Sequence, residues 1–105
     1  MSFSPITIEA AGLLGSRVRL ARRERRWTVE QLAERVGVTH TTIRKVERGD
    51  LTVALGTAFE AAAVLGVTLF HEDEARRSLE AGRIADRLSV LPKAVRAVAE
   101  VDDDF

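Results

Sequence analysis

The sequence has no cysteine, which excludes disulfides, thiolate metal sites and cysteine nucleophiles and leaves the redox compartment unreadable. Its two histidines, His40 and His71, are too few for a metal site by themselves. No apolar run approaches the roughly 18 residues of a membrane span, and the opening MSFSPITIEA lacks the basic start and apolar stretch of a secretory signal. The expected location is therefore the cytoplasm. No ordered nucleophile and base, metal cluster or phosphate loop is visible, so catalysis is the least favoured function, and no cofactor is implied. Proline occurs only at Pro5 and Pro92. Alanine, leucine, arginine and glutamate dominate, and propensity favours helix almost throughout. With 105 residues, 46% of them hydrophobic, the chain can build one compact all-α domain with appendages.

Net charge is also missing, since the formal total is zero. Counted by position, however, residues 1–50 hold 10 basic and 6 acidic side chains, and residues 51–105 hold 6 basic and 10 acidic ones. Either one half faces phosphate while the other faces something else, or the charges simply solvate helix faces, and charge alone does not choose between the two.

What is present is a succession of helix signals. The first helix is expected from after Thr7 to about Arg25, with Leu14, Val18 and Ala21 on one face and Arg19, Arg23 and Arg26 opposite. Thr28 and Gln31 have the spacing of a capping box, and Trp27 can pack on Leu32 as a hydrophobic staple. That second helix should end at Val36, where Gly37 supplies a left-handed terminus. Only Val38 separates this glycine from Thr39, a further good cap. Two helices joined so tightly must cross steeply.

The third helix is expected from Thr39 to Arg48. With His40 as origin, an advance of about 100° per residue places Arg44, Arg48 and Thr41 between about 40° and 100°, and Lys45 at about 140°. Ile43 and Val46 fall at about 300° and 240°, on the other side. The helix thus has a buried β-branched edge and an exposed face of His40, Thr41, Arg44, Lys45 and Arg48.

A fourth helix, Ala54 to Leu65, carries an apolar stripe of Leu55, Phe59, Ala62 and Leu65 and closes at Gly66. The run Val67, Thr68, Leu69, Phe70 is β-prone but too short to stand alone. It either pairs with the same segment of a second subunit as a dimerisation strand or packs as an extended linker through Leu69 and Phe70. From Asp73 to about Leu88 the pattern is helical again, supported by Glu72 with Arg76 and Asp73 with Arg77 and interrupted at Gly82. Residues after about 90 are expected to be loosely held, with Val95, Val98 and Val101 available for docking and an acidic end at Asp102, Asp103 and Asp104. These boundaries divide the chain into a helical core domain (8–66), the short run (67–71), a C-terminal helix (72–91) and a tail (92–105).

Two helices meeting through a glycine-containing turn form a helix-turn-helix unit, whose second helix enters the major groove of double-stranded DNA. Arg44 and Lys45 can donate to guanine O6 and N7, His40 can donate or accept, and Thr41 can bond or offer its methyl to thymine. The arginines at 17, 19, 22, 23, 25, 26 and 48 exceed what solubility requires, and some are expected on phosphates. The set expected at DNA is Thr39, His40, Thr41, Thr42, Arg44, Lys45 and Arg48, together with Arg17, Arg22 and Thr28.

The stretch from Leu14 to Val67, and most specifically WTVEQLAERVGVTHTTIRKVERG, resembles the Xre, or Cro/C1-type, helix-turn-helix domain of phage repressors. The resemblance implies a five-helix, phage-repressor-like domain in which His40, Thr41 and Lys45 read bases and Arg44 lies near bases or phosphate. It also implies a structural ion pair between Arg22 and Glu47, which takes Glu47 out of consideration as a catalytic carboxylate. One departure is Val29, which stands where the phage proteins often have a glutamine on the DNA backbone. Beyond the domain, the order of a helix ending LGV, the run VTLFHED, a charged helix and a short tail is similar to HipB-like antitoxins. That similarity implies a homodimer that represses its own operon and binds a HipA-like kinase-fold toxin. The alternatives are a free-standing repressor or restriction-modification controller, and a protein-interaction module without DNA binding.

Overall fold

Proline at the first helical position determines where the chain first becomes helical. In the computed structural model, which describes residues 2–71 and 73–94, helix α1 spans Pro5–Glu24 behind an extended Ser4. It begins before Thr7, the expected boundary, because the ring presets the helical φ and the N–H that proline lacks would have had no partner anyway. At the other end, Arg26 donates its backbone N–H to Arg23 (2.9 Å) and Trp27 donates to Arg22 (3.1 Å). Arg26 itself is left-handed, with φ 60°. This is the double-bonded helix stop usually built on glycine. With a side chain at that position it costs roughly 1 kcal/mol.

Helix α2, Val29–Val36, has the reciprocal cap its sequence promises: Gln31 N–H donates to Thr28 Oγ1 (3.0 Å) and Thr28 N–H donates to Gln31 Oε1 (2.8 Å). It stops at Gly37, φ 86°, a conformation that carries a steric penalty for a residue with a Cβ. Helix α3, His40–Glu47, starts at Thr39, whose hydroxyl accepts from Thr42 N–H at 3.3 Å. Helix α4 spans Leu55–Val64.

The core is drawn from one edge of each of these helices: Val18 of α1, Leu32 and Ala33 of α2, Ile43 and Val46 of α3, and Ala61, Ala62 and Leu65 at the end of α4. Each fully buried Leu, Ile or Val contributes about 1.5–3 kcal/mol relative to an exposed one. The expected stripe of α4 is correct at Ala62 and Leu65, while Phe59 is half-buried. Leu55 is a correction, for it is 68% exposed. It occupies the first turn and lines an open groove beside Leu14, Val46 and Val53 instead of entering the core.

The run Val67–Phe70 is not a strand, and no strand occurs among the described residues. Val67 N–H returns to Ala62 O at 2.9 Å to finish α4, and Val67 and Leu69 pack against the core. Phe70 takes φ 69°, which breaks an extended path, and its ring is exposed. The packed-linker reading therefore describes Leu69 but not Phe70.

The described residues fall into two compact units, divided after Phe70. In the second, helix α5 spans Glu74–Val90 and runs unbroken through Gly82. Asp73 caps it, accepting from Ala75 N–H at 2.9 Å. Arg77 donates to His71 O (2.6 Å), and His71 Nε2 lies 2.6 Å from Glu80 Oε1. None of its residues is buried. The expected Glu72 pairing and most of the tail, residues 95–105, lie outside the described residues.

Candidate nucleic-acid interface

Helix α3 is held to α1 by backbone proximity and by one buried ion pair. A Cβ at Gly15 would collide with the carbonyl oxygens of Val46 and Glu47, and one at Gly49 would lie 2.9 Å from Gly12 Cα. Beside this contact Arg22 forks onto Glu47, with Nε to Oε2 at 2.6 Å and Nη2 to Oε1 at 3.0 Å. Its remaining nitrogen, Nη1, donates to Trp27 O at 2.8 Å. Both side chains are buried. The hydrogen bonds to Glu47 raise the Arg22 pKa above its ordinary value, against the opposing effect of burial, so the guanidinium stays charged. Arg19 adds a looser contact to the same carboxylate at 3.7 Å.

Clamped along its Ile43 and Val46 edge, α3 leaves His40, Thr41, Arg44 and Arg48 exposed and Lys45 half-exposed. Arg44 lies 3.7 Å from Glu30 of α2, with both side chains largely in solvent, a geometry that contributes little energy and frees the guanidinium for another acceptor. Arg48 lies 3.5 Å from Asp50. The Asp50 carboxylate accepts from Thr52 N–H (2.8 Å) and Thr52 Oγ1 (2.6 Å). These bonds hold its pKa below the usual carboxylate value and organise the turn leaving α3. Thr39 and Thr42 share a hydroxyl contact of 3.0 Å at the start of the helix, and Thr28 occupies the equivalent place on α2. The Thr28 hydroxyl, engaged as a cap acceptor, still has a proton to donate, and the Thr39–Thr42 pair, which uses one of its two protons internally, has one more.

Of the residues expected at DNA, Arg22 is buried and Arg17 lies on the side of α1 away from α3. Arg22 is buried with its donors directed at Glu47 and Trp27, so it supports α3 and takes no part in the exposed cationic face. Arg17 is exposed but follows Gly15 by two positions, which turns it about 160° around α1 from the residue touching α3. Val29, the departure from the phage pattern, packs against the core. Sequence reasoning missed Glu30 as a neighbour of Arg44, for which spacing gives no signal. It also missed the close approach of α1 and α3. The signal for that was present: two glycines, Gly12 and Gly15, inside a helix forgo helical stability and mark a place where backbones meet.

Among the described residues no group of three potential ligands is arranged to hold a metal, and no helix is long and apolar enough to cross a membrane. A family model described as helix-turn-helix matches residues 18–71, just over half of the chain and all of α2, α3 and α4. No curated protein and no solved structure matches the chain.

Proposed function

Since the chain belongs to the helix-turn-helix family of Xre-like, DNA-binding transcriptional regulators, we propose that it is a repressor that binds a specific operator as a homodimer through the outer face of α3. The observation that carries this reading is the contrast within α3. One edge is immobilised by Ile43, Val46 and the Arg22–Glu47 pair, while the opposite edge presents His40, Thr41, Arg44, Lys45 and Arg48 with few competing partners. In this reading Arg44 and Lys45 donate to base edges, His40 and Thr41 discriminate by hydrogen bond and methyl contact, and the Thr28, Thr39 and Thr42 hydroxyls with Arg48 hold phosphate.

The test is a titration against a duplex selected from a random pool. Arg44→Ala and Lys45→Ala are each expected to weaken specific binding by about 1–3 kcal/mol, roughly 5- to 150-fold, with an unchanged melting temperature. Equal affinity and preference in both variants would remove α3 from base reading. The finer proposal is that the protein is a HipB-like antitoxin repressing its own operon and neutralising a HipA-like kinase-fold toxin. Its support is the order of elements after α4, where a short LGV-ended helix leads through VTLFHED into a charged helix. A kinase-fold product of the adjoining gene that co-purifies with this protein would sustain it, and absence of such a gene would leave a free-standing repressor.

A further inference from the structure

The ion pair beneath α3 has a third member, and the charges of the cluster do not balance. Glu47 supplies one carboxylate, and Arg22 matches it through two hydrogen bonds at 2.6 and 3.0 Å. Arg19 then brings a second guanidinium, its Nε 3.7 Å from the same carboxylate. That separation is too long for a hydrogen bond, so Arg19 is held near Glu47 by charge while its donors stay free of protein acceptors. Two arginines and one carboxylate leave a surplus positive charge. Burial decides where it sits, since the Arg22 side chain is 9% exposed and the Arg19 side chain 46%. The surplus lies at the surface, where an anion can complement it.

The position of that surface identifies the anion. Around α1, with Gly15 pointing to α3 as origin, Arg19 is turned by only about 40° and Arg23 by about 80°, whereas Arg17 is turned by about 160° the other way. Around α3, Glu47 lies about 20° from His40 and about 60° from Arg44. Arg19 therefore stands where the exposed face of α3 ends against α1. Arg23, one turn farther along the same flank, is exposed and has no carboxylate partner among the described residues. The last donor of Arg22 reaches Trp27 O at 2.8 Å, which brings the start of α2 beside the same cluster.

A helix seated in the major groove is bordered by the sugar–phosphate strands that form the groove walls. Resting on the DNA-binding reading above, we infer that Arg19, extended by Arg23, is a phosphate clamp on α1 that grips the strand bordering the His40–Arg44 edge of α3. Arg19 reads no base. Because Glu47 both seats α3 and holds Arg19, the phosphate is gripped at a fixed offset from the base-reading side chains, which sets the register of the helix on the duplex. A guanidinium already positioned also loses less freedom on binding.

The experiment titrates the duplex selected by the wild type, and a scrambled one, at several salt concentrations. Arg19→Ala is expected to weaken binding to both duplexes by the same factor and to reduce the slope of log affinity against log salt by about 1, with an unchanged melting temperature. Arg19→Lys, which keeps a point charge, is expected to retain the slope. Arg23→Ala is expected to act as Arg19→Ala does, and since that side chain touches no protein partner it reads the same flank without risk to the fold. Arg17→Ala, on the opposite side of α1, is expected to leave the slope unchanged. A wild-type slope in both Arg19→Ala and Arg23→Ala, a loss confined to the selected duplex, or an equal fall for Arg17→Ala would each overturn the proposal. Wild-type protein that binds no duplex would overturn the DNA-binding reading together with the clamp. Loss of sequence preference in Arg44→Ala beside wild-type slopes in both α1 variants would overturn the clamp alone.

Discussion

The two units of this chain are both helical and both rich in alanine, leucine, arginine and glutamate, yet their helices are maintained by different physics. In residues 2–70, α2 and α3 are eight residues each, far below the ~12–15 at which an isolated helix becomes even marginal in water. They exist because Leu32, Ala33, Ile43 and Val46 are buried and their ends are capped. Helix α5 is seventeen residues long and buries none of them, so it rests on propensity, the Asp73 cap and local polar contacts. Length alone is thus a poor guide to which helix is secure. The shorter ones are tied into a cooperative core, and the seventeen-residue α5 has no buried residue to tie it into one.

The strongest way to separate the two units is Glu47→Ala. Removing the carboxylate leaves the Arg22 guanidinium buried without its charge partner, at an expected loss of about 3–5 kcal/mol. Trp27, the single tryptophan, packs against the core of the first unit, so its fluorescence transition should move to lower temperature. Amide exchange in α5 should not change. Equal acceleration in α5 would show that the units unfold together. The reciprocal experiment is Asp73→Ala, which removes the cap of α5 and is expected to cost that helix about 1 kcal/mol. Faster exchange near Ala75 with an unmoved tryptophan transition is the expected pattern.

The smallest effect is a pH dependence confined to the first unit. Because the hydrogen bonds from Thr52 lower the folded-state pKa of Asp50, the stabilisation from its carboxylate is complete above the ordinary carboxylate value. It is lost as pH falls through the lowered one. Asp50→Asn should flatten that part of the acid stability curve and leave α5 helicity unaltered. A curve of unchanged shape would assign the acid sensitivity to other carboxylates.

Much of the first unit was legible because its signals are local. Thr28 with Gln31, Gly37 and Thr39 mark helix ends by hydrogen bonds spanning a few residues, and the angular positions of Ile43 and Val46 separate the buried edge of α3 from the exposed one. The early start of α1 was legible in principle, since Pro5 is a helix-starting residue. The features not legible depend on tertiary context. The apolar pattern of α4 does not reveal that Leu55 occupies the turn beyond the reach of the core, and β-propensity at Val67–Phe70 does not register the left-handed Phe70. Among the candidate site residues, basic character alone could not distinguish Arg22, drawn inside by Glu47, from Arg44, left outside. Nor could it show that Arg17 and Arg19, two residues apart, leave α1 in different directions.

The close approach of Gly12 and Gly15 to the end of α3 has a consequence for how such a protein changes its target. The distance between these helices is set by main-chain atoms in contact, and none of those atoms belongs to a side chain at positions 40, 41, 44 or 45. The lettering of α3 is therefore mechanically independent of its mounting. New side chains at those four positions can be tried in any combination while the helix keeps its seat, so a lineage or a library can explore new operators without re-solving the fold. A methyl group added at Gly15 would shift all of those positions at once.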